Sequence, residues 1–238
     1  MSTEKQSIQT MTGELFLPIR LYYRLHNKSA VQVAFNKLRC MEFDPPGQRW
    51  MWLYDNEAKK LRFNKPWSSI PPERHPIILG SFYTRVDEEM YLDIGSIDRA
   101  LAAITFFDRR VKRASAELTY VAVCNRLPES QAEHPGGCFD ALFASVDPGT
   151  IERKIDERME KVAALMKSGS IEDVINDRSF ELVETFPAHF YDEGPERLRT
   201  TLMMRQTVAL KRWEGHVDYC LADLISDVVL KPRSPVRH

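Results

Sequence analysis

The chain has 238 residues, 43% of them apolar, enough to bury a sizeable core. Its 33 basic and 34 acidic side chains nearly cancel, which excludes a whole-molecule field drawing it to nucleic acid or anionic lipid, so any such affinity needs a local patch. No segment approaches the roughly 18 uninterrupted apolar residues of a membrane span. The opening MSTEKQSIQTMTGE lacks the apolar stretch of a secretory signal, and the expectation is a cytoplasmic protein without membrane contact.

Residues 1–14 are polar and expected to be flexible. Ile19, Leu21, Tyr23 and Leu25 then alternate with Arg20, Tyr22 and Arg24, which predicts a strand at about 19 to 25 with one oily and one partly basic face. Pro18 lacks a ladder donor, so the strand starts after it or lies at an edge. Asn27 or Ser29 can cap a short helix carrying Val31, Ala34, Phe35 and Leu38. After the turn residues Asp44, Pro45, Pro46 and Gly47, RWMWLYD reads as a strand, with KKLRF as its expected hairpin partner.

Residues 64–76 hold four prolines, which predicts an irregular arm anchored by Trp67 and a possible internal boundary. IILGSFYTR and MYLDI follow as strands. Ser96 caps a helix through Ile97, Leu101, Ile104, Phe107 and Val111, and ELTYVAVC is the next strand. LYYRL, helix, RWMWLY is echoed by MYLDI, helix, ELTYVAV. A duplicated α/β plait is one reading of that echo; a single sheet with helices on one face is the plainer one.

Residues 125–138 are read as a polar loop. Ile151, Ile155, Met159, Val162 and Met166 mark a helix, FELVETF a short strand or extended arm, and Pro195 to about Leu230 a long amphipathic helix that Gly215 can bend or divide. The tail KPRSPVRH, 231–238, is expected to be flexible and basic. The fold expected over 15–230 is α+β, with a mixed or antiparallel sheet covered by helices and a mainly helical C-terminal part.

Four candidate sites emerge. Trp213, Val217 and Leu224 lie on one face of the late helix and fit a protein contact, a homodimer included; the plainer role of such a stripe is burial within its own chain. Between Glu14 and Lys65 ten basic residues face five acidic ones. There Arg20, Arg24, Arg49 and Arg62 alternate with Tyr22, Tyr23, Trp50, Trp52 and Phe63. An exposed face sharing these could stack bases and bind phosphates, although alternation sends several of the aromatics into the core.

His216 and Cys220 stand four apart, as do His134 and Cys138, and the two pairs could hold tetrahedral zinc if the fold joined them. The bland account is a loop histidine, a rim histidine and a core thiol. Glu88, Glu89 and Asp93 near a strand turn could serve a divalent ion or a proton transfer, though acidic turns more commonly serve solvation. Cys40, Cys124, Cys138 and Cys220 are too dispersed to brace the chain and are expected as reduced thiols.

No GxSxG elbow, GxxxxGK[ST] loop or GxGxxG fingerprint is present, and nothing calls for a cofactor. The leading expectation is a non-catalytic protein-interaction or assembly protein. A nucleic-acid-binding regulator and a metal-assisted hydrolase are the alternatives.

Overall fold

The computed structural model describes residues 7–85, 89–128, 139–167, 181–188 and 195–229. Seven strands form one sheet: β1 (Ile19–Leu25), β2 (Met41–Asp44), β3 (Arg49–Leu53), β4 (Ile78–Thr84), β5 (Glu89–Ile94), β6 (Ala116–Cys124) and β7 (Val183–Pro187). Their order is β2-β3-β4-β5-β1-β6-β7, antiparallel at every junction. The helices are α1 (Lys28–Asn36), α2 (Ile97–Asp108), α3 (Phe139–Leu142), α4 (Pro148–Lys167), α5 (Pro195–Trp213) and α6 (Leu221–Val229). The fold is α+β, with its later part mainly helical.

The order encodes a pattern. β1 and β4 both run antiparallel to β5, which lies between them, and α1 precedes the crossing from one to the other. β5 and β6 flank β1 in the same way, linked through α2. Two split β-α-β units thus interleave as in a ferredoxin-like plait, with the β2–β3 hairpin inserted into the first crossover. The first unit is therefore completed by β4, and RWMWL belongs to the insertion.

Local chemistry explains where elements begin and end. Pro18 precedes a central strand, so it removes no donor from the ladder itself. The Asn27 side chain accepts from Ala30 N at 2.9 Å to start α1, and Ser96 accepts from Arg99 N at 3.3 Å to start α2. The hairpin departs from expectation: β3 pairs backward with β2, through a turn in which Asp44 accepts from Gly47 N. KKLRF contributes no strand. Asn56–Lys60 forms a 3₁₀ turn instead, and its Glu57 carboxylate accepts from the Arg39 and Cys40 amides beside β2.

The proline arm from 64 to 76 joins β3 to β4, contains two short 3₁₀ turns and is otherwise irregular. Trp67 rests there against His75, with Lys59 Nζ 3.7 Å from its ring centre.

Alternation sorts the sheet into two faces. Leu21, Trp52, Phe82, Leu92 and Val121 point toward α1 and α2, and an aromatic cluster of Phe35, Trp52, Phe82, Phe106 and Phe107 fills that layer. Complete burial of one such side chain is worth about 1.5–3 kcal/mol. α5 packs outside α2, tied by Arg199 to Asp98 at 3.1 Å, while Arg205 pairs with Glu184 of β7 at 2.8 Å. The opposite face carries Tyr22, Tyr91, Ala122 and Cys124, covered by Phe16 and by Phe139 and Phe143 of the α3 segment.

Thr12 and Glu14, in the segment expected to be flexible, are buried. Arg99 explains this. It is 6% exposed and bonds Thr12 Oγ1 at 2.7 Å, with the Glu14 carboxylate 3.6 Å away as countercharge. Burial nevertheless lowers the Arg99 pKa to about 10.

The expected long C-terminal helix is two helices. Gly215 adopts φ +108°, a backbone region suited to glycine, and the chain turns there before α6. At the start of α6 the Asp223 carboxylate reaches back to accept from Cys220 N at 2.9 Å. Cys40, Cys124 and Cys220 are buried thiols, and burial pushes the Cys40 pKa up to about 12. Among the described residues no helix is long and apolar enough to cross a membrane.

Candidate functional site

A break in the β1–β6 ladder shapes one concavity among the described residues. The two strands pair regularly to Tyr22↔Tyr120, but Tyr23 then faces Leu118, leaving Thr119 as an extra residue. Its hydroxyl donates to the Tyr22 carbonyl at 3.1 Å and holds the irregularity closed. Such a bulge bends its strand and re-aims the neighbouring side chains. Beside it, below the end of α2, lies a cleft of about 290 Å³.

The cleft has an apolar floor of Tyr23, Phe35, Phe82, Ile104, Phe107 and Leu118. Its rim carries Arg24 and Arg113 against Asp108, Glu117 and Glu152. Arg24 faces Glu152 of α4 at 3.5 Å, Arg113 bonds Asp108 at 2.8 Å, and Glu117 lies 3.8 Å from His26. The Tyr120 hydroxyl donates to Glu152 at 2.7 Å. Burial, and then this bond, hold the phenol above its ordinary pKa, so it serves as a hydrogen-bond donor and not as a base at neutral pH.

A second polar centre sits on the other face of the sheet. Arg20 is wholly buried and grips Asp93 through two bonds, Nε to Oδ1 at 2.6 Å and Nη2 to Oδ2 at 2.9 Å. Nη2 also donates to Asp140 of α3 at 2.8 Å. The guanidinium lies 4.0 Å from the Tyr91 ring centre and 5.0 Å from that of Phe143, a stacked arrangement that arginine's planar head favours. Burial pushes the Asp93 carboxyl up to about 6, so it is ionised at neutral pH, as bonding through both oxygens requires. Burial also opposes the charge on Arg20, but the bonds to Asp93 and Asp140 hold its pKa above the ordinary value.

The expected residues are distributed as follows. Arg20, Arg24 and Arg49 do share one sheet face, but Arg20 is buried and Arg49 pairs with Asp44 at 2.9 Å. Arg62 is exposed and lies outside the sheet, while Tyr23, Trp50 and Trp52 point to the helix-covered face. Trp213 ends α5 half-buried against the core, Val217 is 63% exposed in the turn, and Leu224 is half-buried on α6. The helix break separates them, so they form no continuous stripe.

His216 and Cys220 lie in that same turn, one exposed and one buried, and the helical spacing that paired them is not there. His134, Cys138 and Glu88 fall outside the described residues. Glu89 and Asp93 share the Arg20 face, where Asp93 is committed to Arg20. Among the described residues no group of three His, Cys, Asp or Glu side chains could hold a metal ion.

Sequence reasoning missed Thr119, Tyr120, Glu152 and Asp140 as site residues. A bulge leaves no mark on an alternating strand, and Glu152 and Asp140 matter through contacts distant in the chain, with Arg24 and Tyr120 and with Arg20. Comparison of the chain with protein-family models, curated proteins and solved structures finds no match to any of them.

Proposed function

We propose that this chain is a non-catalytic protein-interaction module whose partner docks at the cleft beside Thr119. The observation that carries the reading is a largely aromatic floor inside a rim whose two arginines are each paired with a carboxylate. An apolar anchor gains from leaving water there, whereas a rim without excess positive charge gives no advantage to a polyanion. At about 290 Å³ the cleft is at or below the lower end of the roughly 300–1,000 Å³ common for small-molecule pockets, and it suits a large side chain presented by another protein.

Photo-crosslinking tests this reading. A benzophenone amino acid at Thr119 should give a discrete adduct, and the same group at Glu42, on the far flank of the sheet, should not. Identical products from both positions, or none from Thr119, would remove the cleft as the docking site. The adduct's mass tells a second copy of the chain from a different protein. Self-association through the exposed Val217 is tested separately by measuring mass across concentration: a monomer at the highest concentration rejects it, and a dimer should be weakened by Val217→Asp.

A further inference from the structure

The Arg20 centre contains more donor capacity than the chain uses. Arg20 Nη1 and the Tyr22 hydroxyl are both buried, and neither makes a well-formed hydrogen bond among the described residues, although Arg20 and the Tyr22 phenol interact with each other. The two are neighbours: burial pushes the Tyr22 phenol's pKa up, and charge attraction and a hydrogen-bonding interaction with Arg20 draw it part of the way back down. A buried donor without a well-made bond is costly, so this pair calls for an explanation.

Asp140 supplies a second clue. Its carboxylate caps the outward nitrogen of Arg20 although the side chain is 78% exposed. It therefore approaches a wholly buried cation from the solvent side, along the direction an external group would take. Phe143 of the same segment closes over the guanidinium. Arg85, an exposed cation, lies 5.3 Å from the centre of the Tyr91 ring that Arg20 also stacks on.

The charges fit this arrangement. Arg20 and Arg85 against Asp93 and Asp140 sum to zero. With Asp140 withdrawn, the same cluster carries one net positive charge, with Nη1, Nη2 and the Tyr22 hydroxyl as donors.

We propose that this cluster is a latent oxyanion-binding site and that Asp140 is its built-in occupant, displaced when an external carboxylate or phosphate takes its place on Arg20. The ligand's oxygens accept from Nη2, as Asp140 does, and from Nη1 and Tyr22, which Asp140 leaves unused. Forked guanidinium recognition suits both carboxylate and phosphate. The site lies away from the helix-covered floor of the cleft and does not depend on the docking reading above.

The test compares the full-length wild type with Asp140→Ala, titrating each with inorganic phosphate, acetate and a short aspartate-containing peptide by calorimetry and by following the Tyr22 signals. At least one probe should bind Asp140→Ala about tenfold or more tightly than wild type, as expected when an internal competitor is removed. Adding Tyr22→Phe should cancel most of that gain while the chain still folds, because the hydroxyl makes no well-formed internal bond. Should Asp140→Ala fail to fold, Asp140→Asn keeps the shape while removing the charge.

Binding of the peptide alone assigns the site to an acidic partner, and binding of the free anions assigns it to a small ligand. Equal affinities in wild type and variant, or a gain that survives Tyr22→Phe, would overturn the proposal.

Discussion

Arg20 of β1 and Asp93 of β5 are direct cross-strand partners, joined by bonds of 2.6 and 2.9 Å where the guanidinium has no contact with water. A buried pair of this kind repays its desolvation only when its bonds are well made, and removing one member strands the other. The pair fixes the register between two central strands of the plait and places the Arg20 head between Tyr91 and Phe143. Its size and sign make it the most exacting contact on that face.

Asp93→Ala should destabilise the fold by about 3–5 kcal/mol, because Arg20 keeps its charge inside the protein without its main partner. Urea unfolding measures this. The double replacement Arg20→Met with Asp93→Leu should recover most of the loss. If the single variant costs under about 1 kcal/mol, the pair is not the anchor described above.

The pH dependence has a definite sign. Burial raises the Asp93 pKa from 3.8 to about 6, so the folded chain holds this proton more tightly than the unfolded chain does. Stability contributed by the group therefore falls as pH rises from about 4 to 6 and levels off above that. Relative to Asp93→Asn, the wild type should lose on the order of 3 kcal/mol across the window. A difference that stays flat from pH 4 to 7 would show that the carboxyl is not held up by burial.

Phe107 touches both the core and the cleft, with its ring 4.8 Å from Phe82 and 5.1 Å from Trp52. Phe107→Ala should cost about 3–5 kcal/mol, as for other large aromatic truncations in a packed interior. It should also enlarge the cleft. Calorimetry checks the first effect, and a changed crosslinking yield from Thr119 checks the second.

Gly80 of β4 pairs with Ile94 of β5. A Cβ there would lie 2.9 Å from the Asp93 carbonyl oxygen and 2.9 Å from Leu92 Cδ1. The backbone cannot yield without disturbing the ladder, so Gly80→Ala should destabilise by more than about 1 kcal/mol. Retention of the wild-type melting temperature would mean that the strands have room to separate.

Most of the fold could be read from the chain because periodicity reports burial directly. Ile19 to Leu25 and Ala116 to Cys124 alternate or run apolar as central strands do, and Asn27 and Ser96 mark helix starts through chemistry that is local. The plait itself was harder to see. Residues 37–77 intervene between α1 and the strand that completes the first unit, so the echo fell on RWMWLY when its true counterpart is Ile78–Thr84.

KKLRF misled for a different reason. Its pattern suits a strand, but Glu57 satisfies the Arg39 and Cys40 amides and leaves β2 as the partner of β3. The sites were least legible. Arg20 reads as a surface cation until Asp93 and Asp140 close on it, and no spacing in the chain announces either contact.

The hairpin and β7 lie outside β4 and β6, the two strands that would bound a bare four-stranded plait. β3 covers the outer margin of β4 from Ile78 to Tyr83, and β7 covers that of β6 from Tyr120 to Cys124. Trimming the hairpin away to obtain a minimal plait would uncover the β4 backbone, inviting intermolecular sheet growth in a chain that now keeps that ladder covered. The insertion thus moves the sheet's edge from the 7-residue β4 to the 4-residue β2, and a shorter edge offers less backbone to a neighbouring chain.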